Sequence, residues 1–220
     1  LKKFSPFEVD EKNFPHLDQL VVNLDKDKRH LVRLSDPHFP TRSSHKQYSE
    51  CISRPDFYMK ESSGKPYKGF CWPGRCIWPD FLNPECRKWY SKQFSNIGKE
   101  SSDIIPLNVH WWNDMNEPTI FMSDQFTFPK NIVHFDGTES RSTHNIYGCL
   151  NTSATYAGCV ENQRRAFILT RSFWAGSQRY AFVWTGDNTA SEDHLKISVE
   201  MILSLGICGI PFSGADVGGF

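Results

Sequence analysis

The chain has 220 residues, of which 39% are hydrophobic and 23% charged, enough for one domain with a real core. Lys plus Arg and Asp plus Glu balance at 25 each, so there is no electrostatic footprint for nucleic acid or an anionic membrane surface. The longest apolar run, residues 201–212, is too short to span a bilayer and is broken by Gly and Pro, so membrane insertion is not expected.

In chain order, residues 14–24 carry a helical pattern, and the apolar run from His30 to Ser35 ends abruptly in Asp36-Pro37-His38. A helix is expected over residues 84–94 and a loop over 95–102. The run from Ile104 to Trp112 then meets Asn113-Asp114. A less regular helical segment covers 145–161, and the run 166–170 ends in Arg171. The run 180–185 ends in Gly186-Asp187-Asn188, so close behind Arg171 that little room is left for a helix between them. Residues 191–205 form the clearest helix, with Leu195, Val199, Ile202 and Leu203 on one stripe and Ser191 as cap. A last run, 207–212, leads to Gly214-Ala215-Asp216.

Strands alternating with helices predict a parallel α/β fold. Five strand ends that each carry polar or charged residues favour a (β/α)8 TIM barrel, whose chemistry is assembled at the C-terminal face from several strands. A doubly wound sheet would instead gather its ligand at one switch point. An eight-stranded barrel usually takes about 250 residues. The expectation is therefore one domain over 1–220 that is part of a catalytic barrel, about strands three to seven.

Seven cysteines leave at least one unpaired within the chain, and none shows zinc-finger spacing. Asn151-Thr152-Ser153 is a possible glycosylation acceptor. The aromatic content is 14%, and several Trp stand beside acids, a composition that suits carbohydrate as well as core packing.

Chemistry is densest in His110-Trp111-Trp112-Asn113-Asp114-Met115-Asn116-Glu117-Pro118. Asp114 at a strand end is a candidate nucleophile, kept ionised by Asn116 and nearby donors. Gly186 lets the backbone turn to present Asp187, and Trp184 is placed to desolvate it and raise its pKa, as a general acid needs. Two carboxylates on two strands form a glycosidase pair. The rival reading of Asp114, Glu117, Asp187 and Asp216, with His110 or His38, is a divalent-cation site. The chain has no H-E-x-x-H, EF-hand, G-x-S-x-G or phosphate-loop pattern, and no metal or cofactor is expected.

These segments resemble glycoside hydrolase family 31. Trp112-Asn113-Asp114-Met115-Asn116-Glu117-Pro118 is similar to its nucleophile signature, and Trp184-Thr185-Gly186-Asp187-Asn188-Thr189 to its acid/base segment. Gly214-Ala215-Asp216-Val217-Gly218-Gly219-Phe220 is similar to its next strand-end motif. Further matches are Asp36-Pro37-His38, Cys71-Trp72-Pro73-Gly74 with Asp80-Phe81-Leu82-Asn83-Pro84, His144-Asn145-Ile146-Tyr147-Gly148 and Ala175-Gly176-Ser177-Gln178-Arg179. Together they cover the chain nearly end to end.

The resemblance implies a retaining exo-acting α-glucosidase with Asp114 as nucleophile and Asp187 as acid/base. It implies that Arg171 bonds sugar hydroxyls or orients the carboxylates, and that Trp112, Met115, Trp184 and Phe220 line the subsite for the terminal glucose. Phe39 falls at an apolar pocket position, and Asp216 in a hydrogen-bond network beneath the nucleophile. The family's further glucose-binding Asp and His are expected before Leu1 and after Phe220. The wording implies a glycan substrate, terminal α-linked glucose of N-glycans in the endoplasmic reticulum lumen, with a regulatory β-subunit as partner. Its alternatives are a maltose- or glycogen-acting enzyme of the same family and a non-catalytic fragment. Ala190-Ser191-Glu192-Asp193 departs from the Ala-Glu-Trp that follows the acid/base segment in this group of the family, and changes the loop beside Asp187.

Overall fold

A computed structural model of the chain describes residues 2–95, 108–161 and 165–220. Its main sheet holds five parallel strands in the order β1-β5-β6-β7-β8. These are β1 (Leu31–Ser35), β5 (Val109–Asn113), β6 (Ile168–Thr170), β7 (Phe182–Trp184) and β8 (Ser213–Gly214). A small antiparallel sheet, in the order β2-β4-β3, is inserted after β1 and contains β2 (Phe39–Pro40), β3 (Gly69–Cys71) and β4 (Gly74–Ile77). The helices are α1 (Leu17–Lys26), α2 (Lys46–Ile52), α3 (Pro84–Ser95), α4 (His144–Val160) and α5 (Glu192–Ile207).

The expected parallel α/β organisation is present, and four of the five expected strands coincide with β1, β5, β6 and β7. The first part of the strand expected from residue 104, and most of the loop expected at 95–102, lie outside the described residues. Between β6 and β7 a 3-10 turn, Ser177–Arg179, replaces a helix, in keeping with the short spacing. The fifth strand is displaced. α5 runs on to Ile207, Gly209 takes φ +81°, and the Ile210 N–H returns to the Leu205 carbonyl at 2.8 Å. This left-handed closure ends the helix and delays the strand to Ser213–Gly214. The antiparallel sheet and α2 were not expected; strands of two to four residues are too short to show a period.

Local signals explain the helix starts. Asn83 accepts from the N–H of Glu85 at 2.9 Å, with Pro84 as the first helical residue of α3. Ser191 caps α5 by accepting from the His194 N–H at 3.2 Å. On α5, however, Leu195, Val199 and Leu203 are exposed, Ile202 is half-buried and Ser198 is buried, so most of the expected stripe is left uncovered by the described residues. None of the described helices is long and apolar enough to cross a membrane.

The core lies between the main sheet and α3 and α4. Phe7, Phe81, Tyr90, Phe94 and Trp111 meet there edge to face, with Phe94 and Trp111 at 4.8 Å and 85°. Strand alternation sends Trp111 and Asn113 to this helix side, and His110 and Trp112 to the opposite face, the inside of a barrel. All seven cysteines are free thiols, and four are buried.

α3 and α4 approach closely at Gly158, where a Cβ would stand 2.1 Å from the Ser91 carbonyl oxygen. That oxygen is backbone, so the helices must part to admit even alanine. Gly158→Ala is expected to cost about 1–3 kcal/mol, as overpacking does. The check is thermal melting of the purified full-length protein, where a domain of this size loses roughly 2–4 °C per kcal/mol. An unchanged melting temperature would show that this crossing is not tight.

Candidate active site

The C-terminal ends of the parallel strands place Asp36, Asp114, Arg171, Asp187 and Asp216 in one row, in the order of the strands that precede them. Alternation along β5 carries Trp112 and then Asp114 to the inner face. The Arg171 N–H continues the ladder to the Asn113 carbonyl at 3.1 Å, which sets Arg171 beside Asp114.

Arg171 is the hub. Its Nε donates to Glu117 Oε1 at 2.8 Å and its Nη2 to Glu117 Oε2 at 3.1 Å, a two-pronged pairing that fixes the plane of the guanidinium. Nη2 also donates to Thr119 Oγ1 at 2.9 Å and reaches Met115 Sδ at 3.1 Å. Nη1 is left for the two candidate catalytic carboxylates. It lies 3.0 Å from Asp114 Oδ1, an ion pair outside hydrogen-bond alignment, and 3.8 Å from Asp187 Oδ2. Met115 is buried and adopts φ +55°, rare for a residue with a side chain, where the chain turns sharply between Asp114 and Glu117.

The electrostatics separate these acids. Burial pushes the Asp114 carboxyl above the usual range, aided by the negative charges of Glu117 and Asp187 and opposed by Arg171. Burial acts on Glu117 in the same sense, but the hydrogen bonds and charge of Arg171 outweigh it and hold that carboxyl low. Burial alone would lower Arg171, yet its acidic neighbours raise it further, so the guanidinium stays charged. Asp187 is different: its side chain is 66% exposed. Gly186 does turn the backbone as expected, in the left-handed region at φ +84°. Trp184, expected to desolvate Asp187, is instead buried against Trp112, ring centroids 5.6 Å apart at 75°.

Asn116 was expected to support the charge of Asp114, and its side chain points elsewhere. It donates to Asn151 Oδ1 at 3.2 Å and to Thr170 Oγ1 at 2.9 Å, and accepts from the Ser172 N–H at 2.9 Å. Asn113 donates to Asn151 Oδ1 at 3.1 Å and to Thr155 at 3.0 Å. Asn151 is thus fully buried in α4 and ties the turn after β5 to the helix layer. It is a structural pillar, inaccessible to glycosylation. Gly148 permits the approach, because a Cβ there would stand 2.3 Å from Ser172 Oγ and 2.7 Å from the Asn116 carbonyl.

Other expected site residues divide. Phe39 has no exposed surface and packs against Trp89 and Tyr90 in the core, because β2 belongs to the inserted sheet. Asp216 is half-buried, and among the described residues no ion pair or hydrogen bond joins it to Arg171. The Phe220 ring is exposed, but its backbone clamps the Asp187 turn, donating to the Asn188 carbonyl at 2.8 Å and accepting from the Ala190 N–H at 2.6 Å. A cleft of about 460 Å³ opens beside Arg171 and Asp187, lined also by Glu117, Thr119, Gln125 and His144.

Sequence reasoning missed the roles of Glu117, Thr119 and Asn151. The first had a signal, a second carboxylate three residues after Asp114; a buried Asn in a helix has none. The divalent-cation reading meets two obstacles. The guanidinium already stands between Asp114, Glu117 and Asp187. His110 lies near the opposite end of β5, where its Nε2 is 3.1 Å from Nδ1 of His30.

The whole chain, residues 1–220, matches the model of the glycosyl hydrolases family 31 TIM-barrel domain. It is 43% identical over 217 residues to neutral alpha-glucosidase AB of Mus musculus, covering 97% of this chain and 23% of that protein. It is 44% identical over 218 residues to neutral alpha-glucosidase C of Macaca fascicularis, covering 97% of this chain and 28% of that one. Among solved structures, it superposes with a TM-score of 0.91 and 38% identity on a crystal structure of the ER glucosidase II heterodimeric complex, of catalytic subunit and binding domain of the regulatory subunit. That match covers 100% of this chain and 24% of the other. The chain spans about a quarter of the length of the relatives it matches. With an α/β sheet whose strand-end motifs are those of the barrel, this chain belongs to glycosyl hydrolases family 31.

Proposed function

We propose that the protein is a retaining, exo-acting α-glucosidase with Asp114 as nucleophile and Asp187 as acid/base. The observation that carries the reading is the single nitrogen, Arg171 Nη1, 3.0 Å from one carboxylate and 3.8 Å from the other. The two oxygens are therefore no more than about 7 Å apart, an upper limit that admits the roughly 5–5.5 Å separation of retaining glycosidases and overlaps only the low end of the roughly 6.5–9.5 Å inverting span. In the first step an Asp114 oxygen attacks the anomeric carbon, the bond to the leaving oxygen breaks, and Asp187 gives that oxygen its proton. In the second, Asp187 takes a proton from water, whose oxygen displaces Asp114 and restores the starting configuration. Trp112 and Trp184, edge to face on the inner side of the sheet, and Met115 below Arg171 supply the floor for the glucose. The exposed Phe220 ring stands beside the Asp187 turn, and Asp216 on the next strand end. No step calls for a metal or cofactor.

For substrate and setting, the reading follows the similarity to the ER glucosidase II complex. It assigns terminal α-linked glucose of N-glycans, the endoplasmic reticulum lumen, and a regulatory subunit as partner. The competing substrate is maltose or glycogen, and the departure at 190–193 changes the loop beside Asp187 where linkage preference would be set. Comparing kcat/KM on a glucosylated glycan and on maltose separates the two.

Two outcomes test the roles in the full-length protein. Asp114→Ala is expected to abolish hydrolysis of every α-glucoside while leaving the circular dichroism spectrum unchanged; residual turnover above a few per cent would remove Asp114 from the role. Asp187→Ala is expected to lose about 10²–10⁴-fold in kcat/KM on maltose, the range for general acid catalysis. It should lose far less on α-glucosyl fluoride, whose leaving group needs no proton. Equal losses on both substrates would argue against an acid.

The pH dependence follows from Arg171. Because burial raises Asp114 and Arg171 opposes that rise, removing the guanidinium must raise it further. Arg171→Met is therefore expected to move the acid limb of kcat/KM to higher pH as well as lowering activity. An acid limb that stays in place, or moves down, would mean that Asp114 does not feel this charge.

A further inference from the structure

Asp36 follows β1 as Asp114 follows β5, and the register pairs Ser35 with Asn113, so the two residues follow neighbouring positions at the rim of adjacent parallel strands, close enough for the charge of Asp114 to act on Asp36. Asp36 is 1% exposed, and its Oδ1 has no hydrogen-bond partner; nor has Oδ1 of Asp114. A buried carboxylate and a half-buried one on adjacent strands repel one another, and a single guanidinium serves this row. Arg171 stands on the far side of Asp114, so Asp114 takes the pairing and Asp36 is left without a cation. The nearest basic side chain is His38, with Nε2 3.7 Å from Asp36 Oδ2. His38 cannot supply the charge, because it is wholly buried and burial lowers it to about 3. The physical resolution for an acid in this position is to keep its proton.

Resting on the functional reading above, we propose that Asp36 is a positioning residue for the reaction: a neutral carboxyl that donates a hydrogen bond to Asp114 and holds it as an anion facing the sugar. Burial first, then the charges of Asp114 and Glu117, push the Asp36 carboxyl up to about 8, with Arg171 opposing. The other groups that face it come from every element packed around it. Cys71 and Cys76 of the inserted sheet and Tyr90 of α3 are all raised by burial, Cys71 to about 12, and stay neutral through the working range. Glu117 is held low and ionised, and Arg171 stays charged. Asp36 is thus the group in this neighbourhood whose surroundings favour keeping its proton beside Asp114.

A proton on Asp36 works in one direction on Asp114. Hydrogen bonding to the charged form of a carboxyl favours that form. It offsets part of the burial that raises Asp114, without placing a second cation where the positive charge of the glycosyl transition state develops. Asp36 itself does not touch the sugar in this arrangement, so its loss should act on kcat more than on KM.

The test compares the wild type, Asp36→Asn and Asp36→Ala of the full-length protein, with kcat and KM for an aryl α-glucoside from pH 4 to 9. Asn keeps a donor and no charge. It is expected to stay within about threefold of wild type with an unmoved acid limb, whereas Ala should lose about 10²-fold in kcat, the scale of a misplaced reacting group. KM should change little in the Ala variant, and its acid limb should move to higher pH. The proposal is overturned if Asn moves the acid limb to lower pH, which means that Asp36 is charged in the working enzyme. It is equally overturned if Ala leaves the limb in place, which means that no hydrogen bond reaches Asp114.

Melting provides a readout independent of activity. An acid whose folded pKa is raised binds more protons folded than unfolded, so it weakens the fold as pH rises from about 4 to its folded value. Asp36→Asn escapes this, and its melting temperature should gain on the wild type steadily from pH 5 to 8. A gap that is constant with pH refutes a protonated Asp36. Failure of the wild type to cleave any α-glucoside would sink the functional reading, and the melting series would still decide the proton.

Discussion

The arrangement turns on how one guanidinium divides its nitrogens. Arg171 gives Nε and Nη2 to Glu117, a pairing with fixed geometry, and directs Nη1 toward Asp114 and Asp187. Had Glu117 been absent, the full fork would be free to close on Asp114, a two-point clamp that lowers nucleophilicity along with pKa. With Glu117 in place, Asp114 feels the positive charge of Nη1, which opposes the rise caused by burial, and keeps an oxygen outside any aligned hydrogen bond. Glu117 is therefore the anchor of the site, although it is not itself aimed at the reacting centre.

That division depends on the helix layer behind the sheet. The turn carrying Met115 at φ +55° is held from outside the barrel by Asn116, Asn151, Thr170 and Ser172. Gly148 and Gly158 let α4 come close enough for Asn151 to reach Asn113 and Asn116. A second buried link, Asp80 to His134 at 2.5 Å with His134 to Thr143 at 2.7 Å, fastens the long segment between β5 and α4 to the start of that helix. Every side chain in these links makes at least one hydrogen bond, although Asn113 Oδ1 and Asn151 Nδ2 have none, and a largely paired polar network adds rigidity here.

The barrel strands were legible because each joins an apolar run to a charged end, and both features survive in a single sequence. Asp114, Arg171 and Asp187 stood out for that reason, and their convergence follows from the parallel order of β5, β6 and β7. What stayed hidden depends on three-dimensional neighbours. Phe39 looks like a pocket residue by position, but two-residue β2 turns it into the aromatic core. Asn151 reads as a glycosylation triplet because nothing in its neighbours reveals which side of α4 is buried. Asp36 looks like an ordinary strand-end acid until the β1–β5 register sets it beside Asp114. The α5 stripe is amphipathic in pattern, yet Leu195, Val199 and Leu203 are exposed among the described residues, since a helical period reports that a face wants cover and not what covers it.

The two carboxylates also differ in how they are held, and the difference suits the two roles proposed for them. Asp114 is enclosed by Arg171, Met115 and the turn to Glu117, where water is scarce and its ionisation is set by neighbours. A nucleophile that forms a covalent bond to sugar gains from such enclosure, because stray water would compete for the same carbon. Asp187 is mostly exposed, and its place is set by backbone: Gly186 at φ +84° and the Phe220 hydrogen bonds to Asn188 and Ala190. Gly219 is required there, since a Cβ would stand 2.7 Å from the Thr189 carbonyl carbon. A group that must hand over a proton and then recover one from water in each cycle needs contact with solvent and a fixed origin. Backbone clamping supplies the second without removing the first.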